Sequence, residues 1–144
     1  MNREILFKAK RKDNGEWVEG YYAKLGYGNN TKHFIIQNVS LQEDISYFED
    51  IEIDICTRCQ YTGLTDKNGK KIWENDIISI NAYSYDEPED DYFGVVKYCE
   101  KDACWVLKNN ERFDEIICEC FGSYTTQMIN HGNIFDNPEL LEVE

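Results

Sequence analysis

Gln60-Tyr61-Thr62-Gly63-Leu64-Thr65-Asp66-Lys67-Asn68-Gly69-Lys70-Lys71-Ile72-Trp73-Glu74-Asn75-Asp76-Ile77-Ile78-Ser79-Ile80 carries the clearest structural signal in the chain. At its middle, Asp66-Lys67-Asn68-Gly69 ends in Asn-Gly, two neighbouring residues that accept positive φ at low steric cost, which predicts a type I′ hairpin turn. Beyond the turn, Ile72 and Trp73 lead through Glu74-Asn75-Asp76 into the β-branched run Ile77 to Ile80, a second extended segment after a short polar break. The same four residues resemble the opening of a calcium loop. That reading fails at once: Lys70 and Lys71 stand at the fifth and sixth positions, where a ligand and a glycine belong, and the twelfth is Ile77 rather than glutamate.

Outward from this stretch the pattern repeats. Ile5 and Phe7 alternate with polar neighbours as in a half-buried strand, Asp13-Asn14-Gly15 repeats the turn signal, and Trp17 to Tyr22 returns as the second arm of a hairpin. A Gly-rich turn at Gly26 to Asn30 precedes an apolar strand at His33 to Ile36. Leu41 to Ile55 reads as a loop or short helix followed by a strand, since Ile51, Ile53 and Ile55 alternate with Glu52 and Asp54. Tyr83 to Tyr92, acidic around Pro88, is expected to form an exposed, mobile loop. Phe93–Tyr98 and Cys104–Leu107 read as a strand pair. Phe113–Phe121 fits either helix or strand. At the end, Asn137 before Pro138 suits the N-cap and first position of a brief closing helix.

The 144 residues fit one domain, long enough to bury a core without disulfides or metal. Ten Tyr, seven Phe and only two Pro favour β structure. Short strands, close turns and no long amphipathic helix together predict a mainly β single domain, with an SH3-like or partly open β-barrel core and short helices. Its parts are a strand-rich N-terminal region (1–55), a central hairpin and barrel region (56–108) and a C-terminal region (109–144). No apolar run reaches bilayer-spanning length and the N-terminus lacks a signal peptide's apolar core, so no membrane role and a cytoplasmic location are expected.

Net charge is −13, and all of the excess lies in the second half. Residues 1–71 carry eleven basic and eleven acidic side chains, and residues 72–144 carry four and seventeen. Such a half repels phosphate backbones, leaving Arg3, Lys8, Lys10, Arg11 and Lys12 as the one local basic segment. Six cysteines in a cytoplasmic setting raise metal binding before disulfides. Cys56 and Cys59 have the spacing of a zinc half-site, but Cys99, Cys104, Cys118 and Cys120 do not supply its usual second half, so buried or incidental thiols are the plainer reading. His33 and His131 stand apart from any nucleophile motif, and the serines occupy no strained elbow sequence. Glu74 and Asp76 flank a turn, where carboxylates more often bond to backbone amides than transfer protons. No catalytic residue, cofactor or metal is therefore assigned.

Four stretches carry a resemblance to a known family: Arg3 to Ala9, Asp13 to Val18, Gln60 to Ile80, and Gly132-Asn133-Ile134-Phe135-Asp136-Asn137-Pro138-Glu139-Leu140-Leu141. Together they resemble the YopX family of small phage and prophage proteins. The sequence departs from the family at Asn75, usually glycine, where asparagine tolerates the left-handed conformation better than most residues. It departs again at Asn130-His131, where the family is typically apolar. The resemblance implies a β-rich fold with a barrel-like core, a phage-related intracellular setting and no established activity. The leading expectation is a non-enzymatic accessory protein that binds a protein partner, with Tyr61, Lys70, Lys71 and Trp73 as candidate partner surface. A nucleic-acid role is the alternative, either single-strand binding by the basic first strand with Trp17 and Tyr21, or DNA mimicry by the acidic half. Pairing of an exposed strand edge between copies would give a homo-oligomer.

Overall fold

A computed structural model of the protein describes residues 5–42, 45–82, 90–101, 103–108, 115–116 and 128–141. The mainly β class expected from the sequence is what forms. Eleven strands are seen among the described residues: β1 (Phe7–Lys10), β2 (Trp17–Leu25), β3 (Lys32–Gln42), β4 (Ile45–Glu52), β5 (Cys59–Thr65), β6 (Lys71–Trp73), β7 (Asp76–Ala82), β8 (Asp90–Cys99), β9 (Cys104–Lys108), β10 (Glu115–Ile116) and β11 (Met128–Asn133). Short 3₁₀ turns occur at Gly28–Asn30, Ile55–Thr57 and Pro138–Leu141. The strands form open antiparallel sheets, and among the described residues they close no barrel.

Two compact units divide the chain, Met1–Tyr61 and Thr62–Glu144. In the first, the strand order is β4-β3-β2-β1-β5, with Phe7 and Lys8 opposite Gln60 and Cys59. Period-two alternation sorts its side chains. One face buries Ala9, Ile35 and Ile53, with Phe7, Val18 and Tyr22 packed against them. Beside it, the Lys10 amide donates to Thr57 Oγ1 (2.8 Å), and that hydroxyl donates to the Asp54 carbonyl (2.7 Å), so one threonine joins the end of β1 to the turn before β5.

The second unit holds the end of β5 from Thr62, its neighbour β6 and the sheet β10-β9-β8-β7-β11. Its core comprises Ile72, Ile78, Val96, Trp105, Leu107 and Met128, with Leu64 packed against them. Burying each large aliphatic side chain contributes about 1.5–3 kcal/mol, so this cluster outweighs the smaller one of the first unit.

Several local expectations change. Leu41 and Gln42 continue β3, and β4 runs from Ile45 to Glu52, so a helix before the strand does not form; an eight-pair ladder with β3 takes up these backbone groups instead. Asp90 and Asp91 extend β8 opposite Ala82 and Asn81, which shortens the expected acidic loop, whose residues 83–89 lie outside the described residues. Glu115 and Ile116 pair with β9, which decides for strand at that point of Phe113–Phe121; the remainder lies outside the described residues. Pro138 does open the closing helix. Asn137, however, directs its side-chain oxygen back to the Asn133 amide (3.3 Å).

Asn75 has φ 72, the left-handed conformation expected where the family usually has glycine. Its amide donates to the Val96 carbonyl (2.8 Å), its carbonyl accepts from Ile134 (3.1 Å), and its side-chain oxygen accepts from Lys97 Nζ. Asn75→Ala is expected to lose about 1–2 kcal/mol from left-handed strain alone, and more through the vacated lysine, whereas Asn75→Gly should lose less. Urea denaturation of the two variants measures the difference, and equal losses would show that conformation at residue 75 is unimportant.

Candidate functional site

The Asp66 turn is built differently from the type I′ form expected. Gly69 is left-handed (φ 80) but Asn68 is not, and the Gly69 amide donates to the Asp66 carbonyl (3.0 Å), as in a type I turn closed by a left-handed glycine. The cause is the Asp66 side chain. Asp66 Oδ1 accepts from the amides of Asn68 and Lys70 (2.9 Å each), while Oδ2 accepts from the amide of Asn130 on β11 (3.0 Å). Lys67 adds a bond from its amide to the Met128 carbonyl (3.0 Å). One buried carboxylate thus shapes its own turn and ties it to β11.

Asp76 does similar work beyond the turn, on the first residue of β7. Its Oδ2 accepts from the Trp73 amide (2.8 Å) and from Asn130 Nδ2 (2.7 Å), and Asn130 Nδ2 also reaches the Lys71 carbonyl (3.1 Å). Asn130 Oδ1 accepts from the Gly132 amide (3.0 Å) across the bulge in β11 that contains His131. Gly132 has φ 140, and a Cβ there would collide with the Asn137 side chain. The Asn133 oxygen accepts from the Phe135 and Asp136 amides (2.9 Å each). These acidic and amide side chains spend their acceptors on backbone N–H groups, as turn chemistry requires.

The four residues expected to offer partner surface separate. Tyr61 and Trp73 are buried, whereas Lys70 and Lys71 are exposed. An aromatic flanked by polar residues in sequence looks like a surface anchor; burial of these two leaves the lysines as the accessible part. Cys56 is exposed, and Cys59 is buried with its thiol donating to the Thr57 carbonyl (3.3 Å). Among the described residues, no three His, Cys, Asp or Glu side chains gather as a metal site.

Strand register assembles a face that the one-dimensional reading only touched. Lys10 lies opposite Trp17, Lys8 opposite Glu19, Tyr21 opposite Ile36, Ile36 opposite Asp50, Phe34 opposite Glu52 and Asn38 opposite Phe48, so all of these share one side of the first unit's sheet. Tyr21 and Phe48 are 61% and 68% exposed, and Trp17, Phe34 and Ile36 are half-buried. Lys8 and Lys10 place their ammonium groups 4.6 and 5.4 Å from the Trp17 ring centroid. Phe34, Ile36 and Phe48 were not legible as surface, because membership depends on cross-strand register. Ser79 Oγ and His131 Nε2, on neighbouring strands, are 2.7 Å apart at the surface. This contact was equally hidden, since it depends on the β11 bulge.

Burial would raise the pKa of Asp66, but the bonds from Asn130, Lys70 and Asn68 and the charge of Lys70 outweigh it and hold the carboxyl below its ordinary value of 3.8. A depressed folded-state value means that the unfolded chain binds the proton first. Asp66 therefore contributes its full stabilisation above pH 3.8 and loses it as pH falls through the lower folded value. Asp66→Asn is expected to cost about 1.5–3 kcal/mol at pH 7 and to flatten the acid limb of the stability profile. Urea midpoints from pH 7 to pH 2.5 check both effects, and an unchanged acid limb would remove Asp66 from the account.

Residues 6–142 match the family model described as YopX protein. Among curated proteins, none matches this sequence. The fold is similar to that in the crystal structure of protein EF1440 from Enterococcus faecalis, with a TM-score of 0.58 and 22% identity over 97% of this chain and 99% of that one.

Proposed function

The chain therefore belongs to the YopX family, and from that membership we propose that it is a non-enzymatic binding module that takes a protein partner on the aromatic sheet face of its first unit. The carrying observation is the exposure of Tyr21 and Phe48 on one side of an ordered sheet, with Trp17, Phe34 and Ile36 between and around them. Aromatic residues dominate the centres of protein interfaces, because a ring buries a large area while ordering few torsions. The rim carries both signs, Lys8 and Lys10 against Glu19, Asp50 and Glu52. Mixed charge complements a protein surface better than a uniformly anionic backbone. We place this activity in the cytoplasm of a cell carrying a phage or prophage, with the protein as an accessory factor. In the second unit, taken by itself, Lys70 and Lys71 are exposed and offer a separate contact.

A second reading is favoured by one contact. Lys8 and Lys10 beside Trp17 resemble the pairing of cation and ring on which single-stranded nucleic acid stacks. The local charge weighs against it: the first unit carries eight basic and ten acidic residues, net −2, and the second seven and eighteen, net −11.

Photo-crosslinking from a benzophenone amino acid at position 21 or 48, in cells producing the full chain, is expected to give one discrete protein adduct, absent with the same group at Tyr98. Tyr21→Ala with Phe48→Ala should weaken capture of that protein at least tenfold while leaving the folded spectrum intact. No adduct at either position, combined with salt-sensitive retention of labelled single-stranded DNA, would replace the protein reading with the nucleic-acid one.

A further inference from the structure

The opposite face of the same sheet holds a cation placed with care and, among the described residues, left without an anion. Arg58 follows the Ile55–Thr57 turn, where its amide donates to the Ile55 carbonyl (3.2 Å). Its guanidinium carbon lies 4.5 Å from the centroid of Tyr22 and 6.0 Å from that of Phe7. The two rings stabilise the charge and restrict the side chain. They supply no oxygen to the five N–H donors of the fork. Arg58 is exposed, and among the described residues no carboxylate pairs with it.

Tyr22 is fixed from its other neighbours too. Its hydroxyl is 2.6 Å from His33 Nδ1, and the two rings lie nearly parallel (10°) with centroids 5.8 Å apart, which puts the imidazole at the hydroxyl end of the tyrosine. Lys24 lies directly across the ladder from His33 and two residues beyond Tyr22 on the same face. Directly opposed residues hold their Cβ atoms about 5 Å apart, so the lysine can share a ligand with the imidazole. Lys24 is exposed and, among the described residues, also lacks a carboxylate partner.

We propose that Arg58, with His33 and Lys24, forms a receptor for a phosphate dianion, free or carried as a monoester. A guanidinium fork takes two oxygens of one oxyanion in parallel, and a pre-stacked fork loses little freedom in doing so. A carboxylate would satisfy the arginine alone. A dianion with three acceptor oxygens can also engage the imidazole and the ammonium. The receptor does not depend on the face bearing Trp17 and Tyr21, and either assignment stands without the other.

Titration of the ¹⁵N-labelled full chain with inorganic phosphate, a phosphoserine peptide and acetate tests this by NMR. Inorganic phosphate is expected to shift Arg58 Nε–Hε and the Tyr22 and His33 ring signals to saturation, with affinity falling at least tenfold in Arg58→Lys and severalfold in Lys24→Gln. Arg58→Lys keeps the charge and an exposed position, so its loss would report the fork rather than folding. Saturation by the peptide at the same signals assigns the receptor to phosphorylated side chains; saturation by inorganic phosphate only assigns it to the free anion. Shifts that stay linear, persist unchanged in Arg58→Lys, or appear equally with acetate would overturn the proposal.

Discussion

Three backbone amides converge on the carboxylate of Asp66, and much of the second unit takes its geometry from that convergence. Two of the amides belong to the aspartate's own turn and the third to β11, a strand more than sixty residues away. Leaving a buried amide unpaired costs about 1–3 kcal/mol, so the hairpin and β11 cannot easily separate. A charged acceptor shared among three donors also explains why the acidic motif is so conspicuous without being catalytic. Three of its about four lone-pair sites are already engaged. Asp76 and Asn130 extend the same logic, bonding the backbone groups of Trp73, Lys71 and Gly132.

What could be read in advance follows from the range of each interaction. Strand alternation and Asn-Gly turns are local, so β1, β2, β6, β7, β8 and β9 appear near where their patterns place them. Asn75 is a sharper case, because the family resemblance, with glycine usual at this position, implied the positive φ that it adopts. The type of the Asp66 turn was misjudged for an equally physical reason: the Asn-Gly pair permits two geometries, and a side chain outside that pair selects between them. Leu41 to Glu52 carried a mixed pattern that only the ladder with β3 resolves.

The surfaces were harder to see than the strands. Tyr61 and Trp73 lie beside exposed residues in the chain yet are buried, whereas Phe48, in a mixed acidic stretch, is among the most exposed large hydrophobic side chains described. Period-two alternation sorts a strand's residues into two faces but does not say which face will be covered. The Arg58 cluster draws on β1, β2, β3 and the turn before β5, four segments with no shared sequence signature. Burial and register had to be known before it became visible. Likewise the membership of the chain in its family speaks to fold, since its most recognisable residues are consumed in turns.

The three tryptophans are distributed in a way that makes the protein its own spectrometer. Trp17 lies half-buried in the first unit, under two ammonium groups, while Trp73 and Trp105 are buried in the second. Indole emission moves with the local field and with hydration, so the first should emit apart from the other two. Phenylalanine in place of Trp17, or of the buried pair, would leave a fluorophore that belongs to one unit only. The order in which the two halves of the chain lose their structure can then be followed by light, without any label attached.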